Sequence, residues 1–215
     1  YWAGQQLRDG SFNEYYPYEE GYPPTAFSLW AVGVIFEKRG YPRPSPAVGR
    51  AIQKACDWIL RNPEVEALNQ ESAGLTAVAL CADVPGINVE RPRLERRLTT
   101  FFDRQSSEGW FPEYGGADLG YLSVTLDCLW DLYEHTGDPR ARRAMTRAVR
   151  FMASMVSVSG EVPVMINSRN TNYVVPYGLV RFGAEDPEAA ALFCALYARV
   201  DSPRHFLAHT DDRYA

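Results

Sequence analysis

Lysine is nearly absent from this 215-residue chain, occurring only at Lys38 and Lys54, so its 22 basic residues are almost all arginine. The formal net charge is −5, which excludes a general attraction to nucleic acid or to anionic lipid. Histidine is also scarce: there are three, and none lies near the loop motifs described below. That argues against mechanisms built on a Ser-His or Cys-His dyad. His205 and His209 have the i, i+4 spacing of a metal pair, but they sit in a terminal segment, and no metal or other cofactor is expected. The four cysteines (Cys56, Cys81, Cys128, Cys194) are widely separated in apolar stretches, which excludes zinc-type and redox spacings and reads as buried free thiols. No apolar run reaches the ~18 residues of a membrane span, so no membrane span is expected. A cytoplasmic location fits this pattern. The chain opens Tyr-Trp without methionine, so a removed targeting segment stays compatible with it.

What is present is punctuation. Pro46, Pro92, Pro139 and Pro187 stand at helix starts and are spaced 46, 47 and 48 residues apart. Ser45, Asp138 and Asp186 precede three of them as N-caps. After each proline the apolar residues follow a helical period on one face only, as in Val48, Ile52, Cys56, Ile59 and Leu60. Between these one-sided helices lie more apolar ones with a shared Thr-x-x-x-Leu-(Trp/Cys) core: Thr25/Leu29/Trp30, Thr76/Leu80/Cys81 and Thr125/Leu129/Trp130. A fourth, near Tyr177 to Phe182, is shorter and departs from the pattern. The reading is all-α: about four helical hairpins with a repeat near 47 residues, in one repeat domain over residues 1–215 with a terminal tail at 200–215.

Gly10-Ser11-Phe12-Asn13-Glu14-Tyr15 aligns with Gly109-Trp110-Phe111-Pro112-Glu113-Tyr114, each ahead of an inner helix. Asn69-Gln70-Glu71 and Arg169-Asn170-Thr171-Asn172-Tyr173 occupy the matching places in the other two hairpins. Side-by-side stacking would bring these loops to one face, carrying Glu14, Tyr15, Glu71, Glu113, Tyr114, Asp118, Arg169, Asn170, Asn172 and Tyr173.

Gln6-x-x-x-Gly10-x-Phe12 resembles the glutamine-tryptophan motif of squalene and hopene cyclases, and Gln105-Ser-Ser-Glu-Gly109-Trp110 is a shortened version. The strings from Asp9 to Pro17 and from Glu108 to Asp118, with Ser168 to Tyr173, look more like α/α-toroid proteins of bacterial polysaccharide gene clusters. The resemblance runs from about residue 5 to residue 182. It implies an α/α toroid or partial toroid, the superfamily of terpenoid cyclases, six-hairpin glycosidases and heparinase-like lyases. A complete six-hairpin barrel needs about 280 residues at this period, so a fragment, a shortened toroid or an arc completed by a partner chain is expected. The Asp-x-Asp-Asp acid of class II cyclases and the magnesium motifs of class I terpene synthases are missing.

Four readings remain open, one of them a terpenoid-cyclase-like enzyme, which needs a deep apolar pocket. Elimination on a uronate polymer needs a base for the C5 proton, for which Tyr173 or Tyr114 serves, and groups to neutralise the carboxylate, for which Asn170 and Arg169 serve. Hydrolysis needs two carboxylates, from Glu14 and Glu113 or from Glu113 and Asp118. A binding or scaffold protein would keep the cleft without catalysis. Trp110, Tyr15, Asp118, Tyr121 and Asn172 are the candidate substrate-binding residues, and a carbohydrate polymer or oligosaccharide is the expected partner. Elimination stands slightly ahead, because Arg169 to Tyr173 supplies neutralisers and a base together.

Overall fold

The computed structural model of the chain describes residues 1–39, 43–163, 166, 173–198, 200–202 and 205. Among them are eight α-helices and no β-strand. They fall into two compact units, Tyr1–Asp103 and Arg104–Ala215. No described helix is long and apolar enough to cross a membrane.

The first unit begins with a short 3₁₀ turn at Trp2–Gly4 and continues as α1 (Tyr22–Arg39), α2 (Pro46–Arg61), α3 (Leu68–Cys81) and α4 (Arg91–Asp103). Helix α1 packs along α3: the Tyr22 hydroxyl reaches Glu71 near the start of α3, and Gly33 lies against Leu80 near its end. The two helices therefore run parallel. Helices α2 and α4 are also parallel, since Gln53 bonds the Asn88 carbonyl just before α4 while Arg97 bonds the Ile59 and Leu60 carbonyls at the far end of α2. Two helical hairpins thus stand side by side, α1 on α3 and α2 on α4.

The second unit repeats this plan with α5 (Leu119–Thr136), α6 (Pro139–Met155), α7 (Tyr177–Phe182) and α8 (Pro187–Tyr197). Val175, Gly178 and Arg181 meet Ser123, Asp127 and Glu134 in that order, so α7 runs parallel to α5. Ion pairs Arg142–Glu185 and Arg150–Glu188 set α6 beside the start of α8.

Burial separates the two kinds of helix. In α3 every residue except Gln70 is buried, whereas α4 buries only Leu94, Leu98 and Phe101. The threonine and leucine pairs of the sequence pattern are all inside, with Thr25, Leu29, Thr76, Leu80, Thr125 and Leu129 no more than 2% exposed. Each fully buried leucine or isoleucine contributes roughly 1.5–3 kcal/mol. The helix starts follow the punctuation. Ser45, Asp138 and Asp186 each cap the helix that their proline opens, a contribution of about 1 kcal/mol apiece. Three of the four cysteines are buried free thiols; Cys194 is exposed, because its position on α8 faces away from the apolar stripe of Ala189, Leu192 and Leu196.

The glutamine motifs form matching clamps. Gln6 Nε2 donates to Gly10 O at 2.9 Å and to Ala51 O on α2 at 2.8 Å. Gln105 Nε2 donates to Gly109 O at 2.8 Å and to Ala144 O on α6 at 2.9 Å. Both glycines have φ above +100° and lie against a helix carbonyl, Gly10 on Lys54 and Gly109 on Arg147, where no Cβ fits. The connection from α2 to α3 has no such glutamine. There Arg97 reaches back from α4 and takes the Ile59 and Leu60 carbonyls at 2.9 and 3.0 Å, tying successive outer helices by another route.

Candidate functional site

The aligned strings at residues 10–15 and 109–114 fold differently after their shared turn. In the first unit Phe12 pairs with Gly21, and the eight residues between them bulge outward. Glu14 and Tyr15 are exposed on that bulge, beside Tyr16 and Tyr18. The Glu19 carboxylate holds the bulge closed by accepting from the backbone N–H groups of Glu14, Tyr15 and Tyr16 at 2.7–3.1 Å. Those N–H groups, with Tyr16 first and Tyr15 next, pull the Glu19 carboxyl below its usual pKa.

In the second unit the chain reverses at once. Glu113 pairs with Gly116 through bonds of 2.8 and 3.2 Å, leaving a two-residue turn at Tyr114 and Gly115 with φ of 50° and 88°. Positive φ at both positions is the geometry of a tight hairpin turn. In a tyrosine it is uncommon enough to draw attention to the site. Tyr114 is 47% exposed while Glu113, beside it, is 3% exposed. Trp110 is half-buried, its indole N–H on Glu108 at 2.9 Å. Phe111 is part of the core. Asp118 caps α5 through Tyr121 N at 2.9 Å, and Tyr121 lies half-buried in the first turn.

Tyr173 belongs to the stretch ahead of α7, which docks on α5. Val175 N donates to Ser123 Oγ at 2.9 Å, and Gly178 N to Asp127 Oδ1 at 2.6 Å. Tyr173 stands two residues before Val175, which bonds Ser123 near the start of α5. Tyr173 is half-buried. Trp110, Glu113, Tyr114, Asp118 and Tyr121 lie on the loop before α5 and in its first turn, and Tyr173 belongs to the same unit. Arg169, Asn170 and Asn172 lie outside the described residues, as do His209, Asp211 and Asp212. His205 is buried, with its Nε2 2.8 Å from Leu196 O.

Glu71 does not lie on a loop. It is in α3, 4% exposed, with Oε1 taking Arg97 Nε at 3.0 Å and Nη2 at 2.5 Å. Its other oxygen accepts from the Tyr22 hydroxyl at 2.6 Å and from Glu64 N at 3.1 Å. Burial, then the Glu71 charge, pushes the Tyr22 hydroxyl well above the usual tyrosine range. This group bolts α1, α3 and α4 together.

Sequence reasoning missed the carboxylates of α5. Asp127 and Asp131, four residues apart, both face α7: Asp131 accepts from the Tyr177 hydroxyl at 2.7 Å. Burial, with the Asp131 charge adding to it against the Gly178 N–H, pushes the Asp127 carboxyl up to about 7. The Tyr197 hydroxyl donates to Val174 O at 2.6 Å, and burial and the Asp127 charge push it up to about 12. The signal was legible in principle, since two aspartates inside the apolar run Leu126–Leu132 must find partners or stay protonated.

Comparison of the chain with protein-family models, with curated proteins and with solved structures found no match.

Proposed function

We propose that this chain is an arc of an α/α toroid that acts on an acidic, uronate-containing polysaccharide by β-elimination. Tyr173 is the base that takes the C5 proton, with Tyr114 as the second candidate, and Arg169 and Asn170 neutralise the uronate carboxylate. The C4–O bond then breaks, a C4=C5 double bond forms, and the leaving oxygen takes up a proton. The observation that carries this reading is the register of the 173–178 stretch on α5. Val175, two residues after Tyr173, bonds Ser123 near the start of α5, the helix end that also holds Asp118 and Tyr121. Stacked pairs of parallel helices within each unit support the toroid part of the reading.

Hydrolysis is the second reading, and Asp127 favours it. A partly exposed carboxyl that holds its proton up to about pH 7 is suited to act as general acid.

Incubation with a panel of uronate polysaccharides separates the two. Ultraviolet absorbance rising together with new reducing ends supports elimination, and ends without absorbance support hydrolysis. Tyr173→Phe is expected to lower elimination by at least about 100-fold while leaving the helical circular dichroism unchanged. Unchanged turnover in that variant removes Tyr173 as the base.

A further inference from the structure

Helix α4 carries Arg93, Arg96, Arg97 and Thr100 at positions that share one face. This face and the end of α2, at Leu60, Arg61 and Pro63, line a cavity of about 420 Å³, within the size range of small-ligand sites. Arg97 is its floor, with only 14% of its side chain exposed, and is committed to Glu71 and to the Ile59 and Leu60 carbonyls. Those two bonds matter for anions, because the carbonyls at a helix C-terminus otherwise present negative charge. The walls differ from the floor. Arg93 and Arg96 have 39% and 68% of their side chains exposed, and both share one carboxylate, Glu90, at 3.7 and 3.6 Å, too far for a hydrogen bond. Arg61 touches Asp9 O at a long 3.4 Å. Of the other carboxylates nearby, Glu64 accepts from the Glu66 and Ala67 backbone N–H groups, and Asp9 accepts from Ser11 N and Ser11 Oγ. Three guanidinium forks thus have donors to spare around a concave space.

We propose that the α2/α4 groove is a binding site for an oxyanion, with Arg61, Arg93 and Arg96 as its donors. Guanidinium forks match two-oxygen anions in bidentate fashion, so the class is carboxylate or sulfate, either free or borne on an acidic sugar chain. The site lies between outer helices of the first unit and does not use the loop residues of the second. It therefore stands whether or not the elimination reading does.

The test is calorimetric titration of the full chain with sodium sulfate and, separately, with a trimeric uronate oligosaccharide at low salt. Binding of either probe that weakens at least tenfold in Arg93→Ala/Arg96→Ala supports the site. Sulfate binding alone assigns it to free anions, and tighter binding of the oligosaccharide assigns it to chain-borne carboxylates. Glu90→Gln removes the internal competitor and is expected to tighten binding severalfold. The charge-matched control Arg142→Ala/Arg150→Ala, on α6, is expected to leave affinity unchanged. No detectable binding, or equal loss in the control, overturns the proposal. Thermal melts of each variant show that the loss is not unfolding, since the substituted arginines are exposed and Arg97 is kept.

Discussion

Each unit sets a carboxylate of an inner helix against its neighbour, and the two are treated in opposite ways. In the first, Glu71 meets an arginine fork, a tyrosine hydroxyl and a backbone N–H, so its charge is matched inside the protein. In the second, Asp127 has one backbone N–H and a second carboxyl nearby, and no ion pair among the described residues. The same stacking of parallel helices therefore produces a fixed brace in one place and a proton-holding group in the other. What differs is the partner sent in: α4 supplies Arg97 to Glu71, whereas α7 supplies a backbone N–H to Asp127 and the Tyr177 hydroxyl to Asp131.

The comparison breaks most visibly at Glu71. Glu71→Ala leaves Arg97 buried without its counter-ion, and we expect a loss of about 3–5 kcal/mol, read from urea unfolding. A loss below about 1 kcal/mol would mean that water or another carboxylate replaces the partner.

At Asp127 the expected effect has the opposite sign and depends on pH. The folded-state pKa lies above the unfolded value, so the native state holds an extra proton between about pH 4 and 7. This group's contribution to stability is fully present below about pH 4 and is lost as pH rises through about 7. Asp127→Asn keeps an acceptor for Gly178 N, so its melting temperature relative to the parent should climb steadily from pH 4 to pH 8. A difference that stays flat across that window would show that Asp127 is ionised throughout.

The smallest effects come from the two tyrosines that touch these clusters. Tyr22→Phe and Tyr177→Phe each delete one hydroxyl donor to a carboxylate, at a cost of about 1–3 kcal/mol. The loss should be larger for Tyr22, which is buried, than for half-buried Tyr177. Equal losses by chemical denaturation would say that burial does not distinguish the two sites.

Much of the fold was legible. Proline after Ser45, Asp138 and Asp186 marks helix starts for a local reason, a capping oxygen followed by a residue that loses no hydrogen bond. The candidate site was legible only in part. Glu14 and Glu113 look equivalent in the aligned strings, yet one is exposed and the other buried. The cause is where the chain turns back, at Gly21 in one case and at Gly116 in the other. Glu71 looks like a loop residue by alignment but lies in a helix, where Arg97, 26 residues later, pairs with it.

Local rules, acting over one or two turns, determined from the sequence alone the helices, three of their caps and their inner and outer faces. Only the tertiary structure decided which carboxylate meets a cation. It alone set Val175 against Ser123 and opened the arginine groove between α2 and α4. Those outcomes depend on which residues of separate helices come to face one another across a packed interface. No local spacing encodes that register; it emerges when the hairpins stack and each buried charge must either find a partner or keep its proton.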